Sequence, residues 1–177
     1  MKLSKNFYLN EFTVSAGMNI IATKEQIFCL KVLCRDVLQP IRNKFGPVIV
    51  TSGLRNMESY RKLKQQGYPA SLTSDHFAWS DANPRGTGAA DLHCPSADIM
   101  DVFNFVQEYL YYEIGQVIYY PGKNIIHVSN RFNKIFAMPD GREDSRRVMV
   151  YQDGNFNPYP RRPVAVCGKV FKWPWNK

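Results

Sequence analysis

The sequence predicts an α+β fold, and three observations carry that prediction. Two stretches, 27–41 and 99–110, repeat apolar residues at three- and four-residue steps. Several short β-branched or apolar runs stand between Gly, Pro and Asn breaks, and two of them flank Pro121-Gly122-Lys123 in the pattern of a hairpin. The chain has 177 residues, 45% of them hydrophobic and 14% aromatic, so one domain with a sizeable core is expected and global disorder is excluded.

Each element has a local reason. After the segment Asn6 to Phe12, a helix is expected to begin at Lys24, because Thr23 and Gln26 have the spacing of a capping box. Ile27, Leu30, Cys34, Val37 and Ile41 set its buried face; Pro40 interrupts the pattern, and Gly46-Pro47 ends it. Val48-Ile49-Val50-Thr51 then reads as a buried strand. Met57 to Gln66 reads as a short helix, and 71–91 as a long ordered loop that closes into a strand around Ala89-Ala90-Asp91-Leu92. Ile99, Val102, Phe103, Val106 and Leu110 mark a second major helix, with Pro95 and Ser96 as its start signals. The hairpin runs Val117–Tyr120 and Asn124–Val128 follow. Further strand candidates are Ile135–Met138, Val148–Tyr151 and Val164–Val166.

The formal net charge of +8 is unevenly spread: residues 131–177 hold ten Lys/Arg against four Asp/Glu, which leaves only +2 for the remainder. A basic extension of this kind suits an anionic polymer, either nucleic acid or cell wall. Four cysteines (Cys29, Cys34, Cys94, Cys167) form no C-x-x-C pair, so free thiols are expected rather than a disulfide framework or thiolate zinc site. No apolar run has the length of a membrane span, and the N-terminus lacks the apolar stretch of a signal peptide, so a soluble protein made in a cytoplasm is expected.

Only three histidines occur: His76, His93 and His127. A catalytic zinc site needs three protein ligands and one open position, and His76, Asp91 and His127 can supply such a set. Alternate residues of a strand share a face, so His93 remains a rival ligand or a partner that orients Asp91.

Three early segments resemble the opening of small zinc peptidases of the D-alanyl-D-alanine carboxypeptidase and bacteriophage endolysin family. They are Asn6-Phe7-Tyr8-Leu9-Asn10-Glu11-Phe12-Thr13, Val37-Leu38-Gln39-Pro40-Ile41-Arg42 and Thr51-Ser52-Gly53-Leu54-Arg55. Ser74-Asp75-His76, Gly88-Ala89-Ala90-Asp91 and Ile126-His127-Val128-Ser129 continue the resemblance in the same order, over about residues 6–130. The resemblance implies a small antiparallel sheet flanked by helices; beyond it, the charge count and strand candidates of about residues 131–177 predict a basic β-rich extension. The resemblance implies Zn2+ held by His76, Asp91 and His127, with Arg55 at the substrate carbonyl. The implied activity is hydrolysis of peptide bonds in bacterial cell-wall peptidoglycan by a phage-encoded enzyme, which reaches the wall on lysis or as part of a particle.

Two departures from the family pattern bear on that expectation. Phe77 to Thr87 lengthens the interval between the first histidine and the aspartate; loop closure tolerates such an insertion, and Trp79 and Arg85 within it are candidates for a substrate rim. The segment that carries an acidic general base in many relatives appears here as Ile114-Gly115-Gln116-Val117-Ile118-Tyr119-Tyr120, without the acid, and the position used in other branches is Asn124. Glu113 and Asp75 are the candidate substitutes, and Tyr119 or Tyr120 can donate a hydrogen bond to an oxyanion. The missing base keeps open a second reading, a non-catalytic zinc-binding relative that binds cell wall or serves particle assembly. A third reading is nucleic-acid binding by Arg146, Arg147, Arg161, Arg162, Lys169 and Lys172 interleaved with Tyr159, Phe171, Trp173 and Trp175.

Overall fold

Thr23 accepts the Gln26 amide at 3.2 Å and the Gln26 side chain accepts the Thr23 amide at 3.0 Å, so two free donors at a helix start are satisfied reciprocally. The computed structural model, which describes residues 1–79, 86–130 and 148–159, accordingly starts α1 at Lys24 (Lys24–Leu33). Cys34–Leu38 continues it as a single π turn into α2 (Gln39–Phe45). Pro40 explains the turn. It has no N–H to give, and its ring crowds the carbonyl four residues earlier, so widening the preceding turn lets the rod pass without breaking. Leu30, Leu33, Cys34, Val37, Leu38 and Ile41 form a fully buried stripe along this rod.

Ahead of α1 lie a two-stranded ribbon, β1 (Val14–Ser15) and β2 (Met18–Asn19), and the buried rings of Phe7 and Phe12. The main sheet has six strands: β3 (Ile49–Ser52), β4 (Ala89–His93), β5 (Ile114–Tyr120), β6 (Ile125–Asn130), β7 (Val148–Gln152) and β8 (Asn155–Pro158), in the order β3-β4-β6-β5-β7-β8. Helices α3 (Met57–Gln65) and α4 (Ile99–Tyr109) are the remaining α-helices among the described residues, with Asp98, rather than Pro95 or Ser96, capping α4. The expected α+β class holds, with helices flanking the sheet and the β5–β6 hairpin in place.

Two expectations need correction. The run from Val48 is not a buried strand: β3 is an edge strand paired only with β4, and Ile49 is 49% exposed, so its β-branched residues serve the pleat more than the core. The sheet is also not antiparallel throughout, because β7 runs parallel to β5. The strand candidates Ile135–Met138 and Val164–Val166, and all the basic-patch residues named above except Tyr159, lie outside the described residues. No helix among the described residues is long and apolar enough to cross a membrane.

The pleat divides the sheet into two chemistries. Ala90, Leu92, Val117, Ile126 and Val128 are fully buried on the face that α1, the π turn and α4 cover. On the opposite face a row of register partners, Asp91, His127, Ile118 and Met149, crosses four adjacent strands.

Candidate metal centre

Register brings the first two site residues together. Asp91 on β4 is the cross-strand partner of His127 on β6, and His127 Nδ1 lies 2.9 Å from Asp91 Oδ1. His76 arrives from outside the sheet, on a short 3-10 turn over Asp75–Phe77 started by Ser74. Its Nε2 lies 3.1 Å from His127 Nδ1 and 3.3 Å from Asp91 Oδ1. Among the described residues these three side chains form the group with metal-ligand geometry, and they are 2%, 5% and, for the Asp91 side chain, 15% exposed.

Several contacts hold His76. The Gly53 carbonyl accepts from His76 Nδ1 at 2.6 Å, and the His76 carbonyl accepts the Arg55 amide at 2.9 Å. Gln26 Nε2 donates to the carbonyl of the next residue, Phe77, at 3.1 Å, tying the first turn of α1 to the site. Gly53 has to be glycine: a Cβ there would stand 2.4 Å from the Phe12 carbonyl oxygen, where the N-terminal segment crosses and accepts the Leu54 amide. The supporting roles of Gln26, Gly53 and Phe12 were missed from sequence. The Thr23–Gln26 cap and the Ser52-Gly53 pair between strand and helix were visible, but neither pointed to the site.

The arrangement fits a cation. A carbonyl can only accept, so Nδ1 of His76 carries the proton and a neutral ring turns its Nε2 lone pair inward. Burial holds the His76 pKa below its ordinary value, despite the pull of Asp91. Burial pushes the Asp91 carboxyl up, but the facing His76 and His127 outweigh it and hold the group well below the usual carboxylate range. Tetrahedral zinc with bonds near 2.0–2.1 Å places its ligand atoms about 3.3 Å apart. The observed separations of 2.9, 3.1 and 3.3 Å are close to one triangular face of that polyhedron.

Arg55 borders the group. Its Nη2 lies 3.9 Å from Asp91 Oδ2, and its buried Nε has no hydrogen-bond partner among the described residues. Burial lowers the guanidinium pKa, with Asp91 and Tyr120 opposing. Burial, then Asp91, raises the Tyr120 phenol, which stays protonated.

The other candidates do not join the group. His93 ends β4, with Nδ1 3.1 Å from the Asn124 carbonyl, and so braces the hairpin turn instead of the ligands. Glu113 stands in the turn before β5 and lies outside the metal-ligand group. Asp75 accepts from Thr87 Oγ1 at 3.0 Å. Trp79 is 44% exposed, and Arg85 lies outside the described residues. Cys29, Cys34 and Cys94 are free, and burial pushes the Cys29 and Cys94 thiols up to about 11, which leaves them inert.

The chain was compared with protein-family models, with curated proteins and with solved structures, and nothing matches in any of the three.

Proposed function

We propose that the chain is a zinc-dependent peptidase acting on the peptide moieties of bacterial cell-wall peptidoglycan. The observation that carries this reading is the convergence of His76, Asp91 and His127 on one point, from positions far apart in sequence, with three atoms at tetrahedral spacing. Three protein ligands leave the open position that distinguishes a catalytic zinc site from a structural one. The ordered segments that resemble wall peptidases support the substrate class, and the phage origin and the route to the wall rest on that resemblance alone.

Bound zinc would supply Lewis-acid polarisation of a carbonyl and a water of lowered pKa. The chain's own residues do the remaining work. Gly53 fixes the His76 tautomer so that its Nε2 lone pair faces inward, and ionised Asp91 balances part of the ion's charge. Arg55 keeps an unused Nε donor beside the site and can steady the oxygen that gains charge as the carbonyl is attacked.

The test is to purify the chain without added metal, measure its metal content and incubate it with cross-linked peptidoglycan. The expected result is one zinc per chain and release of new peptide termini, abolished by a chelator and restored by zinc. One observation favours the second reading, a wall-binding or assembly protein without turnover: Asp91 is the only carboxylate among the described residues that the metal-ligand group contains. Metal-loaded protein that binds peptidoglycan and cleaves nothing would establish it.

A further inference from the structure

β5 carries adjacent tyrosines, and the pleat sends them to opposite faces of the sheet. Tyr119 packs into the helix layer against Phe103, with ring centroids 5.6 Å apart. Tyr120 stands on the face of the metal-ligand group, two residues along β5 from Ile118, the partner of His127. Its ring is held by Tyr151 at 5.5 Å and by the Lys123 ammonium at 5.7 Å. Its position two residues from Ile118 on one face of the pleat sets Tyr120 beside the site, and burial, with Asp91 adding, raises its phenol pKa. Two donor-bearing side chains thus share the face of the three ligand atoms: Arg55, whose buried Nε is unpartnered among the described residues, and Tyr120 on β5.

Resting on the peptidase reading, we infer that Tyr120 is a catalytic residue whose O–H donates a hydrogen bond to the scissile carbonyl oxygen as that oxygen gains negative charge, a task it shares with Arg55. The proton stays on Tyr120, and no bond to the residue is made or broken. A preorganised donor aimed at developing charge strengthens its contact in the transition state more than in the ground state, so its effect falls on kcat.

Tyr120→Phe in the full chain removes the hydroxyl and keeps the ring contacts. The expected result with a D-Ala-D-Ala peptide is a kcat about 100-fold lower, the usual scale for one lost oxyanion donor, with KM changed by less than about twofold and metal content unchanged. A second measurement needs no turnover. A phosphinate analogue of the same peptide, tetrahedral at phosphorus, should bind at least about tenfold more weakly to Tyr120→Phe, while the parent peptide binds as before. Tyr119→Phe should alter neither quantity. Unchanged kcat together with unchanged phosphinate binding in Tyr120→Phe overturns the role of Tyr120 and leaves the peptidase reading intact. Absence of metal-dependent cleavage by the unaltered chain overturns both.

Discussion

His76 is anchored at its backbone and at Nδ1, so its imidazole has one direction in which to present Nε2. Replacing it removes a ligand and leaves the core untouched, because none of the large apolar side chains is lost. His76→Ala and His127→Ala are each expected to lower bound zinc from one ion per chain to nearly none, read by elemental analysis. The far-UV circular dichroism should stay that of the unaltered chain. Gly53→Ala acts differently: its Cβ meets the Phe12 carbonyl, and forcing the two backbones apart should cost about 1–3 kcal/mol in a urea titration. The same shift moves the carbonyl that orients His76, so zinc affinity should fall as well. Glu113→Gln, outside the ligand group, should leave zinc content unchanged, and a large loss of cleavage in it would mark Glu113 as the base.

The joint between α1 and the turn carrying His76 rests on one side chain. Gln26 is 8% exposed, closes the capping box with one amide atom and donates to Phe77 with the other. Gln26→Ala should destabilise the chain by about 1–3 kcal/mol, since it strands a buried carbonyl, and should weaken zinc binding without removing a ligand. Calorimetric metal titration would separate the two effects. Elements of this kind were legible where the cause was local: the Thr23 cap, the helical spacing of Leu30 to Ile41 and the Pro121-Gly122 turn all act within a few residues. The π turn was visible only as an interruption at Pro40, because the chain's answer to a missing donor depends on the layer beneath it. The exposure of Ile49 was not legible, since strand composition does not reveal which strand will lie at an edge.

Across the whole molecule, the ligands come from a turn and two strands separated by dozens of residues, and only sheet register brings them together. Their identity was readable from residue type and from the resemblance. Their convergence was not, because pairing of β4 with β6 is a long-range choice, and neither was the parallel β5–β7 seam. A ligand that binds only the folded state stabilises it by mass action, by about 2.7 kcal/mol at a hundredfold excess over Kd. For a domain of this size, at about 2–4 °C per kcal/mol, chelation should lower Tm by roughly 5–10 °C in the unaltered chain and by almost nothing in His127→Ala. Differential scanning calorimetry with and without chelator gives both values. The dependence of Gly53 on Phe12, and of Asp91 on β6, also has a meaning for biosynthesis. On the zinc reading, a nascent chain still short of His127 would hold scattered donors and no cage, so the ion would be acquired only after translation has passed β6.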